Sequence, residues 1–289
     1  MPGEATLSAP AGSWRLRDRE LDLSLPLGAG IVNVTEDSFF SGARSGTPER
    51  GIEDGLALVA AGFDLLDVGA VPARSGPSVS AGDEAAKLVP ALAALVQRSG
   101  VPVSADTFSP EVAIAAAAAG ASAINDIGGG QPAMLEAVAG TSCGYVLMHT
   151  EGPPRADREA PRYEDPVEHL KAWFSQRIEA ALGAGVAEPR IAIDPGLDFD
   201  LSLDDDLEIL RRLGELHSLG RPLFVSLSRK DFLGAVLAGS WDERRPAEER
   251  EWATCAAASL AVAAGAQVLR LHDKSALDAV RVAGRIADA

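Results

Sequence analysis

Eight short apolar runs divide the chain, at residues 31–34, 65–68, 103–105, 123–124, 145–148, 191–193, 223–227 and 268–271. They are near-continuous rather than alternating, the mark of strands buried on both faces and so of a parallel sheet. Helix-grade segments lie between them. Residues 48–61 follow Thr47 as an N-cap, with Pro48 in the first helical position, and 110–119 follow Ser109 in the same way. Segments 165–182, 203–216, 248–264 and 275–286 complete the predicted helices. Gly62, Gly100, Gly120, Gly140, Gly220 and Gly265 each stand just before a strand, where a helix-ending glycine belongs. Ahead of the first strand, residues 14–23 alternate around a charged turn and predict a small hairpin that plugs one end of the fold. Eight strand–helix alternations predict an α/β fold, a (β/α)8 TIM barrel with an N-terminal β-hairpin, spanning residues 13–289 behind a flexible tail at 1–12. A doubly wound open sheet is the rival. It usually carries a glycine-rich turn after its first strand, and this chain has Asn33-Val-Thr-Glu-Asp-Ser38 there.

The apolar runs end abruptly in polar residues: Asn33; Asp67 and Gly69; Asp106; Asn125 and Asp126; His149; Asp194; Ser228, Arg229 and Lys230; Arg270, His272 and Asp273. A barrel of this kind builds its site at the C-terminal ends of its strands. Any one of these residues reads equally well as a turn former or a helix cap; all eight endings being polar points to one pocket. Asp106 and Asp194 with the Asn125 amide suit a planar heterocycle whose amino group adjoins a ring N–H. Lys230 supplies a point-charge donor for a ring carbonyl or nitrogen. Arg270 and His272, two apart on one strand, are expected to face the same side and form a cationic clamp for phosphate or diphosphate. Asn33 offers a hard oxygen donor for Mg²⁺, which bridges phosphate oxygens with few protein ligands. The loop at 71–78 carries Arg74 as its only charge and reads as a lid over an anion. Ser38 and Ser228 have no histidine nearby in sequence. His169 and His217 read as helix-surface residues, and no histidine pair has the helical spacing of a metal site.

Composition narrows the partners. The formal net charge of −16 repels nucleic acid and anionic membrane, so an anionic ligand needs local cations. Hydrophobic residues make up 47% of the chain, enough for a large core. Cys143 and Cys255 lack paired spacing, which argues against a disulfide or a thiolate zinc site and fits buried thiols in a reducing cytoplasm. No basic start followed by an apolar core marks residues 1–25 as a leader, and no apolar stretch is long enough to span a bilayer.

Seven motifs in order resemble the dihydropteroate synthase family of pterin-binding barrels: Asn33-Val-Thr-Glu-Asp-Ser-Phe39, Ser104-Ala-Asp-Thr107, Gly120-Ala-Ser-Ala-Ile-Asn-Asp-Ile127, Leu147-Met-His149, Asp194-Pro-Gly196, Ser228-Arg-Lys230 and Arg270-Leu-His-Asp273. The likeness covers residues 16–286. It implies a transferase that joins hydroxymethyl-dihydropterin diphosphate to para-aminobenzoate and releases diphosphate. It assigns Asp106, Asn125, Asp194, Lys230 and Met148 to the pterin. It assigns Asn33, Arg74, Arg270 and His272 to the diphosphate, with Mg²⁺ beside Asn33, and it makes Lys230, Arg270, His272 and Arg74 the catalytic group. Ala73, Ser75, Phe199 and Ser228 fall on the amine-substrate side, and the resemblance implies a homodimer formed through helices near the C-terminus. The chain departs from the family pattern at Glu36, Ala73, Ser75, Asp198, Asp200 and Leu201. Asp198 and Asp200 replace glycines, and this puts acid on the amine side, where a carboxylate substrate has to enter. Two rivals remain: a paralogue that uses another amine or does not catalyse, and a methyltetrahydrofolate-type pterin-binding protein. The second characteristically lacks the Ser-Arg-Lys and Arg-x-His motifs present here.

Overall fold

The structure, a computed structural model, describes residues 9–34, 47–72, 78–152 and 163–287. Strands β1 (Ser13–Arg15) and β2 (Glu20–Asp22) form an antiparallel hairpin. Eight parallel strands come next: β3 (Leu27–Asn33), β4 (Leu65–Gly69), β5 (Val103–Asp106), β6 (Ala123–Asp126), β7 (Gly144–Met148), β8 (Ile191–Asp194), β9 (Phe224–Ser226) and β10 (Val268–Leu271). Their order is β8-β7-β6-β5-β4-β3-β10-β9, and a parallel bridge between Ile193 and Leu223 joins the two ends into a barrel. The predicted (β/α)8 fold is therefore present, hairpin included.

The helices are α1 (Pro48–Ala60), α2 (Ala81–Arg98), α3 (Pro110–Ala118), α4 (Pro132–Ala139), α5 (Pro166–Gly183), α6 (Leu203–Arg211), α7 (Asp231–Ala238), α8 (Glu251–Ala263) and α9 (Lys274–Ala287). Thr47 and Ser109 cap α1 and α3 through their side chains, as their positions predicted. Three helices escaped the pattern. Helix α2 carries Pro90 in its interior, which reads as a breaker. Helix α4 is one of the shortest and has no side-chain cap. Helix α7 starts directly behind the polar Ser-Arg-Lys ending of β9. The predicted helices at 203–216 and 248–264 are each broken, by 3-10 turns at Leu213–Leu219 and Ala247–Glu249. Gly62, Gly100, Gly120, Gly220 and Gly265 adopt the left-handed conformation expected of them, whereas Gly140 stays right-handed at φ −70°. Strand β3 starts earlier than its apolar run because Gly28 and Gly30 belong to it. A Cβ on Gly28 would lie 2.3 Å from a terminal methyl of Leu277 in α9, so glycine lets the helix layer close on the strand without displacing that side chain.

Successive residues of each strand face opposite ways. One set, including Leu66, Val68, Ile124, Leu147, Ile193, Val225 and Leu269, packs under the helices. The other points into the barrel. At the N-terminal end it forms a separate apolar cluster of Ala29, Leu65, Ala123, Val146, Ala192, Phe224 and Val268, closed from below by Trp14, Leu16 and Leu23 of the hairpin. The Trp14 ring meets Phe224 edge-on at 6.3 Å and its Nε1 donates to the Arg190 carbonyl at 2.8 Å. The hairpin is the expected plug. The chain is also held further back than the predicted tail allowed: Gly12 accepts from the Leu23 amide and Ala11 from the Gln267 side chain.

Candidate active site

Two residues beyond each of six members of the apolar cluster, the same inward face turns polar or ends in a thioether. Leu65 is followed by Asp67, Ala123 by Asn125, Val146 by Met148, Ala192 by Asp194, Phe224 by Ser226 and Val268 by Arg270. On β5, Ser104 is followed in the same way by Asp106. Strand periodicity thus lifts these side chains together to the C-terminal mouth.

Asp67 is the hub. It is fully buried, and its carboxylate accepts from Ser104 Oγ at 2.5 Å, Asn125 Nδ2 at 3.0 Å and Arg270 Nε at 2.5 Å. Arg270 reaches across with Nη2 to Asp106 Oδ2 at 2.6 Å, so one guanidinium serves two carboxylates. Burial pushes the Asp106 carboxyl up to about 7; Arg270 opposes this, while Asp67, Glu84 and Asp126 add to it. Burial works against the charge of Arg270, but Asp67 and Asp106 outweigh it and raise the guanidinium above its ordinary value. Two buried acceptors, Asp106 Oδ1 and Asn125 Oδ1, have no hydrogen-bond partner among the described residues. A buried acceptor left unpaired costs about 1–3 kcal/mol, so such a pair marks a place for a donor-bearing ligand.

Asp194 closes the other side of the mouth. Its carboxylate accepts from the Gly196 amide at 2.9 Å and Ser226 Oγ at 2.6 Å, and burial raises its pKa against the pull of Lys230. Met148, at the end of β7, is in register with Asp194. Lys230 stands at the N-cap of α7; its Nζ donates to the Leu197 carbonyl at 2.5 Å and lies 4.9 Å from the centre of the Phe199 ring. Asn33 ends β3 beside Gly69, half-buried. The structure therefore brings Asp106, Asn125, Asp194, Lys230, Met148 and Arg270 to one end of the barrel. Arg74, Ala73 and Ser75, with Glu36 of the first loop, lie outside the described residues.

Several expectations change. The cationic clamp of Arg270 and His272 has one cation: burial, with Arg270 and Arg229 nearby, holds the His272 imidazole down to about 3, so it is neutral. Its Nδ1 lies 2.9 Å from Ser228 Oγ, so a serine that lacks a histidine nearby in sequence gains one in space. Arg229 is not part of the mouth. It is buried behind it, with Nε donating to Asp273 at 2.8 Å and Nη1 to the Ala247 carbonyl. Asp126 shapes its own loop, accepting from the Gly128 and Gly130 amides and from the Tyr145 hydroxyl. His217 is buried rather than on a helix surface, and His169 is half-buried against Glu151 at 2.6 Å.

The acids at 198 and 200 also behave differently from the expectation. Both keep the left-handed backbone that glycine would supply, with φ of 67° and 58°. The Asp198 carboxylate is buried and accepts from the amides of Asp231 and Phe232, the first turn of α7. Asp200 accepts from Thr150 Oγ1 at 2.9 Å and the Glu151 amide at 3.0 Å. Their charges are bound into the scaffold. Asp67, a strand-end residue with no role assigned from sequence, turns out to be the centre of the network. Its signal was a carboxylate inside Leu65-Leu-Asp-Val-Gly69, two residues beyond an inward leucine.

A sequence model of the family described as "Pterin binding enzyme" matches residues 29–272. The dihydropteroate synthase of Escherichia coli strain K12 is 36% identical over 265 residues, 91% of this chain and 92% of that protein. The dihydropteroate synthase of Mycobacterium leprae is 38% identical over 88% of this chain and 91% of its own. Among solved structures, the Yersinia pestis dihydropteroate synthase in a sulfonamide drug complex superposes with a TM-score of 0.88 at 34% identity, covering 95% of this chain and 98% of that one. The Xanthomonas albilineans dihydropteroate synthase in complex with 7,8-dihydropteroate gives 0.81 at 37% identity, covering 96% and 98%. With the barrel, the mouth and these relatives in agreement, the chain belongs to the dihydropteroate synthase family of pterin-binding enzymes.

Proposed function

We propose that this transferase condenses 6-hydroxymethyl-7,8-dihydropterin diphosphate with para-aminobenzoate, releasing diphosphate in folate biosynthesis. The carrying observation is the pair of partnerless buried acceptors, Asp106 Oδ1 and Asn125 Oδ1, in one mouth with Asp194. A pterin edge presents an amino group beside a ring N–H, the donors these acceptors lack. Lys230 suits the ring's acceptor side.

The reaction breaks the bond between the pterin methylene carbon and the diphosphate oxygen, whose electron pair leaves with the diphosphate. The amine nitrogen then attacks the methylene carbon and loses its proton to solvent. An aryl amine is neutral near pH 7, so no strong base is needed. The chain stabilises the separated charges instead: buried carboxylates beside the ring suit a delocalised cation, and Arg270 suits the leaving anion. His272, neutral and oriented by Ser228, adds a hydrogen-bond donor to that clamp rather than a charge. The Asn33 side-chain oxygen at the end of β3 fits Mg²⁺, which takes hard oxygen donors and keeps most of its shell for water and phosphate oxygens. When bound, the ion would neutralise diphosphate charge; Arg74 is the lid residue proposed to add to it. Because Asp198 and Asp200 are bound by amides and Thr150, they give no reason to replace para-aminobenzoate with another amine.

Two further properties belong to this reading. Trp252 and Leu260 of α8 and Val282 and Ile286 of α9 are exposed large apolar residues, Trp252 at 79%, and they support a homodimer through these helices. Both cysteines are free and buried, in keeping with a cytoplasmic protein, and no helix of the described residues is long and apolar enough to cross a membrane. The test supplies pterin diphosphate, Mg²⁺ and para-aminobenzoate and measures diphosphate release, paired with growth rescue of a strain lacking its own synthase. Tight pterin binding without release would move the chain to the paralogue.

A further inference from the structure

Behind the pterin mouth, on the outer side of β7, three metal-ligating side chains meet. His149 follows the last residue of β7 and turns away from the barrel interior, its ring edge-on to Trp173 of α5 at 4.9 Å. Glu151 lies two residues on. His169 projects from the first turns of α5. The Nε2 atoms of both imidazoles face one oxygen, Glu151 Oε1, at 3.4 Å from His149 and 2.6 Å from His169. Ligand atoms of the three residues all lie within 4.8 Å of one another.

The fold treats His149 as a group in reserve. Its side chain is sealed from solvent, its contact with Glu151 is long, and its Nδ1 has no partner among the described residues. His169 and Glu151 keep about a third of their side-chain surface, which leaves a path to solvent. The cluster is also braced from outside. Tyr163 stacks on the His169 ring at 4.0 Å, and Asp200 accepts from the Glu151 amide at 3.0 Å. The Tyr163 hydroxyl also donates a long hydrogen bond to Glu151 Oε1, at 3.4 Å, which an incoming ion would replace.

We propose that His149, Glu151 and His169 form a binding site for one divalent transition-metal ion of the zinc class. Two imidazoles and one carboxylate are a donor set such ions favour, whereas Mg²⁺ prefers oxygen alone. Zinc–ligand bonds of about 2.0–2.2 Å put neighbouring ligand atoms roughly 3.3 Å apart. His149 and Glu151, at 3.4 Å, already stand at that spacing, while His169 and Glu151, at 2.6 Å, must open slightly, a movement their half-exposed side chains allow. The ion would pin the start of the β7–α5 connection to α5. Through Asp200, it would also steady the loop after β8 that carries Phe199 under Lys230. This site is chemically separate from the oxygen site at Asn33.

The test uses the full chain stripped with chelator and titrated calorimetrically with Zn²⁺, and with Co²⁺ while visible spectra are recorded. One equivalent should bind, millimolar Mg²⁺ should not displace it, and Co²⁺ should give the ligand-field bands of a nitrogen–oxygen site. His169→Ala and Glu151→Gln, both at half-exposed positions, should each weaken Zn²⁺ about 10–100-fold while leaving the metal-free melting temperature within a few degrees of the parent. At a zinc concentration near the parent's dissociation constant, the melting temperature of the parent should rise more than that of the variants. The proposal is overturned by absence of saturable binding, by displacement with Mg²⁺, or by variants that bind Zn²⁺ as the parent does. Diphosphate release by the parent is scored separately, so a failed metal site leaves the transferase reading untouched.

Discussion

The two ends of this barrel are built from the same strands and the same alternation, yet they solve opposite problems. At the N-terminal end the inward cluster is hydrocarbon and Trp14 closes the gap; its one polar side-chain atom has a carbonyl to donate to. Two residues further along the same strands, the inward layer holds three carboxylates, a guanidinium and an amide, with two acceptors left over. The first end is finished without a ligand. The second is not, because its buried charges balance only approximately around Arg270 and its spare acceptors await donors. Stability and function are thereby separated by about 7 Å along a strand, two residues of rise.

Mutations should break that contrast in different ways. Arg270→Ala is expected to be the most damaging. It leaves the buried acids Asp67 and Asp106 without their shared cation, costing about 3–5 kcal/mol by urea unfolding, and it removes diphosphate affinity as well. A variant with parental stability and unchanged diphosphate binding would end the clamp. Trp14→Ala should cost a similar ~3–5 kcal/mol through the lost plug, yet the folded fraction should turn over at the parental rate. A lowered rate per folded molecule would show that the two ends are not independent.

Smaller effects probe the supports of the mouth. Asp198→Ala removes the cap on α7 and keeps a left-handed backbone that alanine resists, so a loss of ~1–2 kcal/mol is expected. Asp198→Gly should lose less. Because α7 begins at Lys230, pterin affinity should fall with Asp198→Ala; parental affinity in that variant would count against a positioning role. The last prediction concerns pH. His272 is held at about 3 when folded against an ordinary 6.5, so between these values the unfolded chain binds more protons. Its contribution to stability is complete above pH 6.5 and is lost as pH falls toward 3. The unfolding free energy of the parent should therefore drop faster than that of His272→Gln between about pH 6.5 and 4, and parallel profiles would contradict a neutral His272.

Much of this was legible in the order of residues. The eight strands, their inward period of two and the polar step at each C-terminal end are local properties of the chain, because strand pleating fixes which side chains share a face. Asp106, Asn125, Asp194, Lys230 and Arg270 could be named from those steps alone. Helices α2, α4 and α7 could not, since Pro90, a missing cap and the polar start of α7 suppress the local signal while packing against the barrel still forms each helix.

What the sequence determined by itself was the barrel, its plug and the chemical kinds of group at its mouth, since each comes from periodicity within a few residues. What only the tertiary structure decided was how those groups are shared: Asp67 as hub, His272 without a charge, Asp198 tied to a helix start, and two histidines and a glutamate gathered behind β7. Those outcomes depend on burial and on distances between segments far apart in the chain. Desolvation and Coulomb interaction over a few ångströms set them, and neither quantity exists until the barrel has closed.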